Sequence, residues 1–293
     1  YATVPDEGEK MVSLNTVPKD LPKCLYNGLW SRGKPAILTS GTLAAGDGFS
    51  NTKRQLGLER SVPLRTFRVP SPFRYQQNCL LVFPSVYNAK ICSETNNEQV
   101  ARQVQQLVEV ANGHALVLFT SYEQMGTVYE LLKETLDFSI LQARRGSQAV
   151  VEQFKQMPNG VLLAGGPCWE GGDFPGDMVS LLVIVRLPFP VPDPVREARR
   201  QQYPDLHSYI QTEIVPEMQQ KLRQGFGRAI RTETDSCAVA VLDQRAAPGG
   251  RYHKAVLDAL PSGIPVTTKI EDIEPFLRAH KGPDYFLPDS QNR

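Results

Sequence analysis

Cysteine is scarce in this chain and never closely paired. The five residues, Cys24, Cys79, Cys92, Cys168 and Cys237, are odd in number, widely spaced and free of any C-x-x-C. That pattern excludes a disulfide framework, a zinc site and a self-contained iron–sulfur cluster, and it fits reduced thiols in a cytoplasm. An excess of one charge is also lacking: 32 Lys and Arg against 31 Asp and Glu leave a formal net charge of +1. Any contact with nucleic acid must then come from a local stripe rather than from bulk charge. No apolar run approaches membrane-spanning length, so no membrane partner is expected. The opening Tyr1-Ala2-Thr3-Val4-Pro5-Asp6 is neither a signal peptide nor a start methionine, and the chain reads as an excised fragment. Two signatures of nucleotide hydrolysis are missing as well. Gly28-Leu29-Trp30-Ser31-Arg32-Gly33-Lys34-Pro35 satisfies G-x-x-x-x-G-K but has proline where a phosphate loop needs serine or threonine. It also precedes an apolar strand instead of following one. No Asp-Glu-x-His tetrad follows an apolar strand, so neither the triphosphate loop nor the metal-holding carboxylates are expected here, and no metal site is predicted.

What the chain does contain is a core: 41% of its 293 residues are hydrophobic, enough for one large α/β domain or two smaller ones. Met11 to Trp30 reads as a short strand-like segment and an amphipathic helix, and Pro35 to Thr39 as a buried strand. A Gly/Ala/Asp-rich stretch from Thr42 to Gly57 opens a helix, and Val62 to Tyr75 is Pro-rich and basic; the domain boundary belongs near there or slightly earlier. From Asn97 the pattern becomes regular. Helices are predicted over Glu98 to Val110, Tyr122 to Glu134, Gln148 to Gln156, Pro194 to Gln202 and Pro216 to Arg231. Strands are predicted at Ala115 to Phe119, Phe138 to Leu141, Gly160 to Ala164, Leu181 to Val185 and Cys237 to Leu242. Almost wholly apolar strands alternating with helices predict an α/β fold, a mainly parallel sheet covered on both faces. Ligands on such sheets bind beyond the carboxyl ends of the strands.

Several segments sit where that rule places them. Thr120 and Ser121 end a strand and open a helix at Tyr122, so one hydroxyl caps while another can meet a nucleic-acid backbone. Thr39-Ser40-Gly41-Thr42 likewise ends the first predicted strand in hydroxyls, which a local turn also explains. The glycine-rich loop from Ala164 to Asp177 contains Trp169, Glu170, Gly172 and Asp173. It is either a turn-rich surface connection or a place where backbone N–H groups approach a phosphodiester and Glu170 or Asp173 holds an arginine. Arg186 leads into a rigid Leu187-Pro188-Phe189-Pro190 exit and is its one plausible contact.

The densest chemistry is Gln224-Gly225-Phe226-Gly227-Arg228-Ala229-Ile230-Arg231. On a helix through Arg231, Glu217, Lys221, Gln224, Arg228 and Arg231 share one face, and Met218, Leu222, Phe226, Ala229 and Ile230 the other. Each internal glycine costs roughly 1 kcal/mol against alanine, which points to close backbone approach. The arginines suit phosphate because a guanidinium stays charged and grips two oxygens together. A solvated charged face accounts for the stripe equally well.

In this order, Thr-Ser-Gly-Thr-Leu at 39–43, Phe-Thr-Ser-Tyr at 119–122, Trp-Glu-Gly-Gly-Asp-Phe-Pro-Gly-Asp at 169–177, Leu-Pro-Phe-Pro at 187–190 and the octapeptide at 224–231 resemble motifs of superfamily 2 DNA helicases. Specifically, they resemble the DinG branch of the XPD-type, iron–sulfur-containing enzymes. The resemblance covers roughly residues 35 to 245. It implies that residues 1–44 are the tail of a first motor domain and residues 45–293 the second, RecA-like, motor domain. The implied activity is that of an ATP-dependent DNA helicase, this fragment being inactive alone. ATP and Mg2+ would be bound mainly by the absent domain, which would also carry the iron–sulfur cluster. Implied partners are single-stranded DNA, ATP and the N-terminal motor domain. By resemblance, Thr39, Ser40 and Thr42 couple nucleotide state to the DNA track, and Thr120, Ser121, Tyr122, Trp169 and Arg186 contact nucleic acid. Glu170, Gly172 and Asp173 border the nucleotide site. Gln224, Arg228 and Arg231 form the motif whose arginines reach a γ-phosphate. The sequence departs from the family at Gly41, commonly alanine, and at Gly172, usually a branched residue. The alternative is a non-catalytic RecA-like module that binds nucleic acid or regulates.

Overall fold

The structure, a computed structural model, describes residues 2–3, 13–14, 16–18, 20–44, 48–60, 63–84, 94–169 and 171–286. It divides into two compact units, one of Tyr1–Val69 with Phe189–Met218 and one of Pro70–Pro188 with Gln219–Arg293.

In the first unit β1 (Ala2–Thr3) pairs antiparallel with β2 (Ser13–Leu14). Helix α1 (Leu21–Gly28) starts where Asp20 accepts the Lys23 N–H at 3.0 Å, and Trp30 Nε1 donates to the Leu56 carbonyl just past α2 (Ser50–Gln55). The predicted strand at Pro35 to Thr39 is absent. The segment has no regular structure, and Ile37 is 93% exposed. A strand needs a hydrogen-bonding neighbour, and none of the described strands lies beside this one.

The second unit is built on seven strands. In chain order its elements are α3 (Tyr75–Asn78), β3 (Cys79–Val82), α4 (Glu94–Val110), β4 (Ala115–Phe119), α5 (Tyr122–Thr135), β5 (Ile140–Ala143), α6 (Gln148–Lys155), β6 (Val161–Gly165) and β7 (Leu181–Ile184). After α7 (Pro194–Arg200) and α8 (Leu206–Tyr209) of the first unit come α9 (Val215–Phe226), β8 (Cys237–Val241), α10 (His253–Ala259), β9 (Val266–Thr267) and α11 (Ile273–His280). The strands are ordered β5-β6-β4-β7-β8-β3-β9, and every pair is parallel. Strands buried on both faces explain the continuous apolar runs. Ala115, Val117 and Phe119 join one core with α4, α5 and α11, through Val104, Val108, Val128, Leu132 and Leu277. Leu116 and Leu118 alternate to the opposite face, where α9 crosses. Gln219 and Arg223 side chains tie α9 to the Ala255 and Ala259 carbonyls of α10.

Candidate phosphate-facing site

Helix α9 ends five residues earlier than the sequence suggests, which corrects the expectation that Arg228 and Arg231 sit on its charged face. The last turns tighten, with the Arg228 N–H on the Gly225 carbonyl at 3.0 Å and the Ala229 N–H on the Phe226 carbonyl at 2.9 Å. Beyond them Asp235 takes the backbone. Its Oδ2 accepts the N–H groups of Arg231 and Thr232, each at 2.8 Å, and its Oδ1 accepts the Thr232 hydroxyl at 2.6 Å and the Gly176 N–H at 3.1 Å. This carboxylate, in a residue only 4% exposed, replaces helix hydrogen bonds and ties the arginine turn to the glycine loop. Buried Ala229 and Ile230 anchor the turn from below.

The two guanidinium groups converge on the loop after β6. Arg228 donates from Nη1 to the Gly172 carbonyl and from Nε to the Gln224 carbonyl at 3.3 Å. Arg231 donates to the same Gly172 carbonyl at 2.7 Å, and its Nε lies 3.0 Å from Asp173 Oδ1. Gly172 has φ +102°, a conformation open to glycine, and a Cβ there would lie 3.0 Å from the Phe174 ring. Arg228 is 8% exposed, and burial, followed by the adjacent Arg231 charge, lowers its pKa. Arg231 retains 29% side-chain exposure. Two cations held together beside the exposed Asp173 form a cradle that an anion would stabilise. Glu170 lies outside the described residues. Gln224 is half-buried and enters this site through its carbonyl.

The residues expected to meet nucleic acid divide. Thr120, Ser121 and Tyr122 are exposed beyond the carboxyl end of β4, and Ser121 caps α5 by accepting the Gln124 N–H at 3.3 Å. The Tyr122 ring lies over Gly165 and Gly166, where any Cβ would strike it. Trp169 corrects the sequence reading. It is 1% exposed, its Nε1 donates to the Phe119 carbonyl at 2.9 Å, and its ring presses on the backbone of α9 at Gly225. No face of it remains for a strand. Arg186 follows β7 and is half-buried. In the first unit Ser40 and Thr42 form a local hydroxyl turn beside exposed Thr39, with Oγ and Oγ1 3.2 Å apart. Also in the first unit, Arg196 is committed to Glu217 through bonds of 2.6 and 2.7 Å.

Asp235 and Asp243 were not singled out in the sequence. Asp243, just beyond β8, accepts the Leu187 N–H at 2.9 Å and the Arg245 guanidinium at 2.7 Å, fixing the proline-rich exit. Burial opposes its ionisation, but the bonds from Arg245 and Leu187 outweigh it and hold the carboxyl below its ordinary value. The available signal was an aspartate within two residues of each end of the apolar run at β8. Among the described residues, no group of three His, Cys, Asp or Glu is placed to hold a metal. The lone Asp173, paired with Arg231, does not fit a Mg2+ site.

The family described as the helicase C-terminal domain matches residues 104–263, and the chain belongs to it. The chain is 33% identical over 267 residues to the ATP-dependent DNA helicase DinG of Photobacterium profundum, covering 87% of this chain and 38% of that protein. It is 29% identical over 282 residues to the 3'-5' exonuclease DinG of Bacillus subtilis, covering 92% of this chain and 30% of that one. The chain thus spans about a third of the length of these relatives. An XPD helicase structure superposes with a TM-score of 0.60 at 21% identity, covering 84% of this chain and 45% of that chain, which establishes the RecA-like helicase fold. The resemblance to DinG helicases therefore holds for the chain as a whole, and its fold is that of the XPD helicase.

Proposed function

We propose that this chain is the C-terminal motor domain of an ATP-dependent DNA helicase, and that Arg231 and Arg228 face the triphosphate of ATP held by a partner motor domain. The observation that carries this reading is the convergence of both guanidinium groups on Gly172 and Asp173. Arg231, the more exposed, is the residue assigned to the γ-phosphate, where a planar cation offsets charge that develops during transfer. Arg228, nearly buried, holds the Gly172 loop and keeps the local field positive. Residues 1–44, with the hydroxyl turn at Thr39, Ser40 and Thr42, belong to the first motor domain and couple it to residues 45–293.

Single-stranded DNA would pass the exposed Thr120, Ser121 and Tyr122 and reach Arg186, through sequence-independent phosphate contacts. Trp169 acts on that face only by fixing the ends of β4 and α9. Mg2+ and an iron–sulfur cluster belong to the other motor domain, and the protein works in the cytoplasm. No helix among the described residues is long and apolar enough to cross a membrane. The test is DNA-stimulated ATP hydrolysis by the full-length protein with Arg231→Ala or Arg228→Ala. An arginine finger is worth about 10³-fold or more in turnover, so Arg231→Ala should be nearly inactive. Normal turnover by both variants would refute the assignment of these arginines to ATP.

A further inference from the structure

Directly after α11, Lys281 carries a side chain only 2% exposed. An amine so buried needs acceptors to replace its water, and Lys281 has two. Its Nζ donates to Asp177 Oδ1 at 2.7 Å and to the Ser236 carbonyl at 2.9 Å. Each acceptor is the immediate neighbour of a residue in the arginine site. Asp177 follows Gly176, Ser236 follows Asp235, and the Gly176 N–H already donates to Asp235. An ammonium and a carboxylate therefore lace the same two loops side by side. One loop presents Gly172 and Asp173, and the other presents Arg231. The segment bearing Lys281 is itself pinned by Tyr285, whose hydroxyl donates to the Ala111 carbonyl at 2.8 Å and whose ring stacks on His114 at 4.3 Å. Lys281 lies beyond the residues matched by the family.

We propose that Lys281 is a positioning residue for the arginine site: it locks the glycine loop to the arginine turn and makes the C-terminal segment part of the phosphate-facing apparatus. The proposal rests on the assignment of Arg231 to ATP. Lys281 touches no part of that ligand and acts through Asp177 and Ser236 on the geometry that Asp235 sets. Without the lock, Arg231 would sample more positions, which lowers transition-state stabilisation more than ground-state binding.

The test uses the full-length protein with Lys281→Met and Asp177→Asn, the second at a side chain 54% exposed where folding is safe. Amide hydrogen exchange is followed over residues 171–177 and 230–236, alongside DNA-stimulated ATP turnover. Exchange in both segments should quicken about tenfold, as loss of one charge-assisted hydrogen bond allows, while β4 stays protected. The kcat should fall about tenfold with KM for ATP little changed, and the double variant should be no worse than either single one. Unchanged exchange in both variants, or faster exchange with full turnover, would overturn the proposal. If turnover collapses in Arg231→Ala but not in Lys281→Met or Asp177→Asn, the proposal alone fails. If Arg228→Ala and Arg231→Ala are both fully active, the ATP assignment fails and the proposal falls with it.

Discussion

Replacing Gly225 by alanine sets two physical effects against each other. Within α9 the change should help, since alanine is favoured over glycine in a helix by about 1 kcal/mol. The new methyl, however, would stand 2.7 Å from Trp169 Cε3, 2.8 Å from Cζ3 and 3.2 Å from Leu118 Cδ1. The indole cannot retreat easily, because it is 1% exposed and its N–H is held by the Phe119 carbonyl. Overpacking of this kind costs roughly 1–3 kcal/mol, and a fixed ring puts it in the upper half, so the net loss is about 1–2 kcal/mol. For a domain of this size that is a fall in Tm of about 3–6 °C. Thermal unfolding of this chain, followed by circular dichroism, reads it directly. In a Trp169→Phe background the six-membered half of the indole is gone, and the penalty of Gly225→Ala should shrink. A Tm that rises with Gly225→Ala, or a penalty indifferent to residue 169, would refute the contact between α9 and the loop.

Three further outcomes are expected. Gly172→Val forces a branched side chain to φ +102° against Phe174, costing about 1–3 kcal/mol, and should depress ATP turnover of the full-length protein by misaiming the shared carbonyl; thermal melts and a turnover assay check both. His114 has its pKa lowered by burial, with the Asp177 contacts opposing and the Lys281 charge assisting. Its neutral form is the one the fold prefers, so stability is full above the ordinary value of 6.5 and is lost as pH falls below it; His114→Asn should flatten the Tm profile on the acid side. If Arg186 meets a DNA phosphate, Arg186→Ala should reduce the log–log salt slope of single-strand binding by about 0.7, measurable by fluorescence anisotropy.

The sheet was legible because its inner strands are buried on both faces. Ala115 to Phe119 is placed to the residue, and the helices at Tyr122 and Gln148 begin where expected. The misses have distinct causes. Pro35 to Thr39 is apolar enough for a strand, but a strand exists only with a partner, and periodicity does not report partners. The end of α9 moved because Asp235, just past the helical pattern, takes the N–H groups of Arg231 and Thr232. Strand β3 at Cys79–Val82 follows a Pro-rich stretch whose turn signals obscured four apolar residues. In the site, the ion pair of Arg231 with Asp173 follows from residue types that attract one another, whereas the Gly172 carbonyl that both arginines meet is a backbone group that residue type does not announce. Trp169 did not follow. A tryptophan in a glycine-rich loop suits stacking on a base and packing under a helix equally well in sequence, and only the vacant Cβ position at Gly225 decides between them. Lys281 gave no signal, since its acceptors lie far away in sequence.

The most direct test of the assignment of Arg231 is the affinity of the full-length protein, with DNA present, for ADP and for ADP with beryllium fluoride standing in for the γ-phosphate. With Arg231→Ala, ADP binding should be nearly unchanged while the fluoride complex weakens by about a hundredfold or more. Equal affinity of the two proteins for the fluoride complex would contradict the account.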